Sequence, residues 1–133
     1  MSVIDDAVAW AIKIAEDDTH GYDQTNRWGP DYDNSSFIIS AWEETGVNVK
    51  TNGATGISNM CTAFEKTGFT NVANKINMQT GTGLAAGDVL WKRNLTCMYI
   101  GDGEVVIASP NSKDIVIENY YDNSWNKVLR YAD

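Results

Sequence analysis

Residues 87–107 read GDVLWKRNLTCMYIGDGEVVI and decide the class of the fold. Positions 88–91 and 96–100 are rich in β-branched and aromatic residues, which predicts two strands. Gly101-Asp102-Gly103 is a strong hairpin signal before a third strand at 104–107. Two more short strands are predicted near 115–117 and 128–131. The second half of the chain therefore predicts an antiparallel sheet.

The first half of the chain has the spacing of helices instead. Apolar residues recur every three or four positions over 3–16, which predicts an amphipathic helix. A second helix is predicted over 35–45, before Gly46, and a third over 58–67, before Gly68, because glycine commonly follows the last turn of a helix. Helices followed by an antiparallel sheet indicate the α+β class, in one domain over 1–133.

Composition excludes several function classes. The formal net charge of −8 argues against nucleic acid, because phosphate binding draws on Lys and Arg. Apolar runs such as 105–108 are too short for a membrane span, so no membrane partner is expected. Two cysteines and one histidine make neither a disulfide framework nor a metal site, and we expect no cofactor. Whether Cys61 and Cys97 pair is left open.

The amino terminus has no basic start followed by an apolar core, so the sequence predicts no signal peptide. The expected location is the cytoplasm of the producing cell, or a phage or mobile element.

Three segments in order carry a family resemblance. They are HGYDQTNRWGPDYD at 20–33, DNSSFI at 33–38, and GDVL at 87–90 with MYIGDG at 98–103. They resemble the NlpC/P60 superfamily of cysteine peptidases, in particular the peptidoglycan hydrolases of phages and mobile elements of Gram-positive bacteria. The second segment matches Asp-Cys-Ser-Ser-Phe-Val at the start of that family's core helix, and the third matches its strand pair with the catalytic histidine. The resemblance implies a papain-like NlpC/P60 fold, with amino-terminal helices packed on a carboxyl-terminal antiparallel sheet.

The family attacks an amide of the peptidoglycan stem peptide with a cysteine thiolate, assisted by a histidine and an orienting polar residue. By the resemblance, the nucleophile position is Asn34, the histidine position falls at or next to Leu95, and the orienting position falls near Ile107. A carboxamide is not a competent nucleophile at neutral pH, and neither Leu nor Ile transfers a proton. The catalytic residues are therefore degenerate, and we expect no catalysis by this route.

The resemblance also implies that the residues that bind the substrate in this family are retained. The matching positions that line the groove are Tyr22, Asp23, Asp33, Ser35 and Ser36, with His20 on the flanking loop. An aspartate with neighbouring hydroxyls suits an ammonium group. The alternative is that Asp33 and the serines cap the helix, Tyr22 fills space and His20 is a surface residue.

Three functions follow from these observations. The leading one is a pseudoenzyme that binds a peptidoglycan stem peptide or a protein partner. The second is an active peptidoglycan amidohydrolase or endopeptidase with a non-standard site, although Ser35 and Ser36 have no evident base, and Cys61 and Cys97 suit buried packing positions. The third is an acidic inhibitory or structural protein that keeps only the fold.

Overall fold

The structure is a computed structural model that describes residues 2–132. Its α-helices are α1 (Val3–Glu16), α2 (Asn34–Glu43) and α3 (Met60–Lys66), and a short 3-10 helix spans Ala73–Lys75. The strands are β1 (Phe69–Asn71), β2 (Val89–Lys92), β3 (Leu95–Gly101), β4 (Glu104–Ser109), β5 (Asp114–Asn119) and β6 (Lys127–Tyr131). The predicted α+β class is confirmed.

The six strands form one antiparallel sheet in the order β1-β6-β2-β3-β4-β5. β2 to β5 follow one another as a meander, whereas β6 lies between β1 and β2. The five strands predicted from sequence are present, but β1 was not predicted. With three residues, of which only Phe69 is buried, β1 is too short to produce a recognisable alternation.

α1 has the boundaries that its pattern predicts, and its capping explains them. Ser2 Oγ accepts a hydrogen bond from Asp5 N at 3.1 Å and so pairs one of the free amides of the first turn. Ala7, Ala11 and Ile14 are buried on one face of the helix. α2 and α3 begin and end within two residues of their predicted limits, and α2 starts at Asn34.

The predicted hairpin joins β3 to β4. Asp102 and Gly103 have φ of 54° and 77°, the left-handed conformations that a tight two-residue hairpin turn requires. The register shifts between Tyr99 and Gly101, and the Tyr99 hydroxyl accepts a hydrogen bond from Gly103 N at 2.9 Å. This turn fixes which side chains of β3 and β4 point to each face of the sheet.

The two faces of the sheet support two separate clusters of buried side chains. The helix-side core combines the buried residues of α1, α2 and α3 with one set of strand residues: Val89, Met98, Val106, Ala108, Ile115 and Leu129. The far-side core is formed by side chains on the opposite face of the sheet and is covered by the segments before β2 and before β6. Its buried residues are Val72, Leu90, Cys97, Val105, Ile107, Trp125 and Val128. α2 packs directly on β3 and β4, so its amino end lies on the helix side of the sheet.

A buried ion pair ties the turn before β2 to β6. Asp88 is 1% exposed and accepts two hydrogen bonds from Arg130, at 2.8 Å from Nε and 2.7 Å from Nη2. Asp88 also accepts from Ala85 N at 2.9 Å, and Arg130 Nη2 donates to Gly83 O at 2.9 Å. These bonds satisfy the buried carboxylate with fixed partners, which favours a structural role for the pair.

Candidate functional site

The amino end of α2 is held by a reciprocal capping box. Asp33 Oδ1 accepts from Ser36 N at 2.8 Å, and Ser36 Oγ accepts from Asp33 N at 3.0 Å. Each side chain thus pairs a backbone amide that the helix itself leaves free. The capping role considered for Asp33 and Ser36 from the sequence is therefore present. Ser36 is fully buried and Ser35 nearly so.

The Asp33 carboxylate has further partners besides the cap. Ser35 Oγ donates to Asp33 Oδ1 at 3.2 Å, and Arg27 Nη1 lies 3.3 Å from the same oxygen. Arg27 Nη2 also donates to the carbonyl of Thr55, so one guanidinium joins the loop before α2 to the loop before α3. The negative charge of Asp33 is consequently balanced within the chain, and an incoming ammonium group would compete with Arg27.

Asn34, the first residue of α2, carries a polar atom without a partner. Its Oδ1 is buried, and no hydrogen-bond donor within residues 2–132 reaches it. An unsatisfied buried carbonyl costs about 1–3 kcal/mol, so a ligand donor would be stabilised there once the atoms that cover this oxygen move aside. A carboxamide oxygen accepts hydrogen bonds but does not attack an amide, and this position can therefore bind but cannot cut.

Tyr22 and Asp23 are engaged in the structure of their own loop. Tyr22 forms an isolated bridge with Tyr32, and its hydroxyl accepts from Gln24 Nε2 at 3.1 Å. Asp23 Oδ1 accepts from the backbone amides of the second and third residues after it, at 2.7 and 3.0 Å. These backbone bonds lower the pKa of the Asp23 carboxyl. Both residues hold the loop before α2 in place.

His20 is also tied into this loop. Its Nδ1 bonds to the Pro30 carbonyl, and its Nε2 lies 3.6 Å from Asp17 Oδ2. With these two partners, His20 links the start of the loop to its end. It is the only histidine of the chain, so no imidazole comes from β3 or β4.

Leu95 and Ile107 do not join Asn34. Ile107 belongs to the far-side core and Leu95 packs against that core, whereas α2 packs on the helix side. Because side chains alternate along a strand, a shift of one residue moves a position to the other face. Thr96 lies two residues before Met98 and therefore on the same, helix-facing side of β3. It is buried, and its Oγ1 donates to Leu90 O at 2.7 Å. The structure therefore does not bring the three degenerate positions together in one site.

The two thiols are apart and unreactive. Cys61 lies in the helix-side core and Cys97 in the far-side core, and both are free. Burial raises the pKa of the Cys61 thiol to about 11, and burial followed by the charge of Glu118 raises that of Cys97. A raised pKa removes the thiolate that nucleophilic attack requires, so neither cysteine replaces the missing nucleophile.

Two features of this region were not predicted from the sequence. Arg27 was not assigned a role, although an arginine six residues before the capping aspartate was the available signal. Trp28, 38% exposed, lies under two cations, with Arg27 Cζ 4.8 Å and Lys50 Nζ 4.0 Å from its ring centroid. These contacts bring together loops that are distant in sequence, and no local pattern encodes them.

Over residues 2–132, His, Cys, Asp and Glu side chains form no group of three that is suited to hold a metal ion. In the same part of the chain, none of the helices has both the length and the apolar character of a membrane span.

No family model matches the chain, and no curated protein matches it.

Proposed function

We propose that this chain is a non-catalytic NlpC/P60-like domain with a papain-like arrangement, which binds a peptidoglycan stem peptide beside the amino end of α2. The order of elements supports the proposal, since helices precede an antiparallel sheet and the Asp-Asn-Ser-Ser segment opens the helix that packs on the hairpin strands. A protein partner that presents an equivalent peptide end is the alternative occupant of the same groove.

The observation that carries the proposal is Asn34. It occupies the family's nucleophile position at the start of α2, and its buried Oδ1 has no donor within residues 2–132. The thiols of Cys61 and Cys97 lie elsewhere in the two cores. An acceptor in the place of a nucleophile favours recognition of a peptide N–H or ammonium group over cleavage.

The charges around Asn34 determine which peptides would suit the proposed binding position. An ammonium group would bind the Asp33 carboxylate in competition with Arg27, and Arg27 released from that pair would suit a carboxylate of the same peptide. A stem peptide carries both charges. We therefore expect a peptide with a free amino end to bind better than its acetylated form.

The test is a titration of ¹⁵N-labelled protein with a synthetic stem peptide, followed by NMR. Saturable shifts of the amides of residues 33–36 are expected, with weaker or no shifts for the acetylated peptide. Asn34→Ala should weaken binding, whereas Asn48→Ala, at an exposed position after α2, should not. Absence of binding at millimolar peptide would refute the groove and favour a structural or inhibitory role.

Mass spectrometry of peptidoglycan fragments after long incubation separates binding from catalysis. Unchanged fragments are expected, because the Asn34 carboxamide cannot attack an amide and the thiols of Cys61 and Cys97 are buried with raised pKa. New products that are absent from a heat-inactivated control would establish the enzyme alternative instead.

The alignment with the family has its own test. Asn34→Cys combined with Thr96→His should give the introduced thiol a pKa below the ordinary value of about 8.5, measured from the pH dependence of alkylation. Asn34→Cys combined with Leu95→His is the matched control, since Leu95 packs against the far-side core. If the thiol pKa falls in the variant with Leu95→His but not in the variant with Thr96→His, the assignment of Thr96 to the helix side of the sheet is wrong.

A further inference from the structure

A second concave site lies on the far side of the sheet, away from α2. It is a cavity of about 350 Å³ near the β4–β5 turn. This volume is at the low end of the range of small-molecule pockets, about 300–1,000 Å³. Its lining includes Leu95, Ile107 and Val116, whose side chains belong to or pack against the far-side core. The cavity is therefore separate from the groove of the proposed function.

The cavity combines an apolar floor with an aromatic wall. Leu95, Ile107 and Val116 supply the floor, and Tyr121, which is 39% exposed, stands at the edge. The Tyr121 carbonyl accepts a hydrogen bond from the indole Nε1 of the buried Trp125 at 3.2 Å. This bond anchors the backbone of Tyr121 at the edge of the cavity. A large exposed aromatic next to an apolar cavity is suited to contact a ligand.

Glu118 places a carboxylate in the same lining. It follows Val116 by two residues on β5 and so lies on the far side of the sheet with it. Within residues 2–132 Glu118 forms no ion pair. Two lysines of neighbouring segments are engaged elsewhere: Lys92 Nζ donates to Asn123 O at 3.1 Å, and Lys113 Nζ lies 5.6 Å from the Tyr22 ring centroid.

We propose that this cavity binds a small organic cation, an ammonium group on an apolar or aromatic body. The body would lie on the Leu95, Ile107 and Val116 floor. The ammonium group would pair with the Glu118 carboxylate and contact the face of the Tyr121 ring, two interactions that favour a cation over its neutral isostere. A carboxylate ligand is disfavoured by Glu118 and by the net charge of −8.

The test uses benzylamine as the probe, with benzyl alcohol and benzoate as its neutral and anionic counterparts. NMR titration of the ¹⁵N-labelled protein should give saturable shifts at residues 109–118 for benzylamine. Benzyl alcohol should bind about tenfold more weakly or worse, because it lacks the charge-assisted bond. Benzylamine binding should also weaken as salt is raised, since the pair is partly exposed.

Two variants locate the interaction. Glu118→Gln should weaken benzylamine binding about tenfold and abolish its preference over benzyl alcohol, with no loss of thermal stability. Tyr121→Leu should weaken benzylamine binding more than benzyl alcohol binding, because it removes the aromatic face. The matched control is Glu104→Gln. Glu104 lies two residues before Val106 on β4 and therefore on the helix side of the sheet, so this change should alter neither affinity.

Three results would overturn the proposal. They are equal affinity for benzylamine and benzyl alcohol, unchanged benzylamine affinity in folded Glu118→Gln protein, and shifts confined to residues outside the cavity. Absence of benzylamine binding at millimolar concentration would overturn it equally.

Discussion

Replacement of Asp33 distinguishes its capping role from its charge. Asp33→Ala removes the 2.8 Å bond from Ser36 N and the 3.3 Å contact with Arg27. Loss of an N-cap costs about 1 kcal/mol. Loss of a partly exposed ion pair costs about 0.5–1 kcal/mol more. We expect Asp33→Ala to lower the free energy of unfolding by about 2 kcal/mol.

Asp33→Asn changes the charge but keeps a capping oxygen. Asparagine caps helices as well as aspartate does, so only the ion pair with Arg27 is lost, and the expected destabilisation is about 0.5–1 kcal/mol. The Asn and Ala variants differ by the cap alone, about 1 kcal/mol, so at about 3–4 °C per kcal/mol for a domain of this size their Tm values should differ by about 3–4 °C.

The assay is urea unfolding, followed by the fluorescence of the five tryptophans and by circular dichroism. Asp18→Ala is the control, because Asp18 is exposed and follows the end of α1. If Asp33→Asn and Asp33→Ala destabilise equally, the charge of Asp33 matters and the cap does not. If neither differs from Asp18→Ala, the capping box contributes nothing and the reasoning fails.

Three further changes test other parts of the structure. Asp88→Ala should lower the free energy of unfolding by about 3 kcal/mol, since it leaves the partly buried Arg130 without its partner; equal stability in urea would contradict the structural role of the pair. Alkylation of Cys61 should be slow at pH 7.5 and should accelerate about tenfold per pH unit up to its pKa of about 11, whereas Cys97 should react only in urea. Mass spectrometry of both sites over time measures the two rates. A fast reaction of Cys97 in the native protein would refute its burial. Gly87→Ala should destabilise the protein by more than about 2 kcal/mol, because φ is +97° and the added Cβ would lie 2.6 Å from a methyl group of α1; a wild-type Tm would show that this approach relaxes freely.

Much of the fold was predictable because its signals are local. The boundaries of α1 follow from its 3.6-residue period and its cap, and the β3–β4 hairpin follows from Gly101-Asp102-Gly103. β1 was missed because it has three residues and gains its stability from pairing with β6, far along the chain. Pairing with a distant strand leaves no trace in a short segment.

The candidate site was less predictable because it depends on register. The Asp33 cap was foreseen, since aspartate before an apolar run is a local signal. The face on which Leu95 lies was not, because one residue of register decides it and the loop lengths that set the register are not encoded at Leu95 itself. The Thr55 carbonyl that Arg27 binds lies 28 residues further along the chain, so only the folded chain brings the two together.

The position of β6 between β1 and β2 has a consequence for synthesis on the ribosome. The strands of the β2–β5 meander pair with neighbours that emerge in succession, so they can associate before translation reaches residue 127. β1 contacts the rest of the sheet through β6, and it must wait until the last strand of the chain has left the exit tunnel. Until then Phe69 and the α3 side chains that pack around it lack their cover, and a pause in translation at this stage would expose them to chaperones or to aggregation.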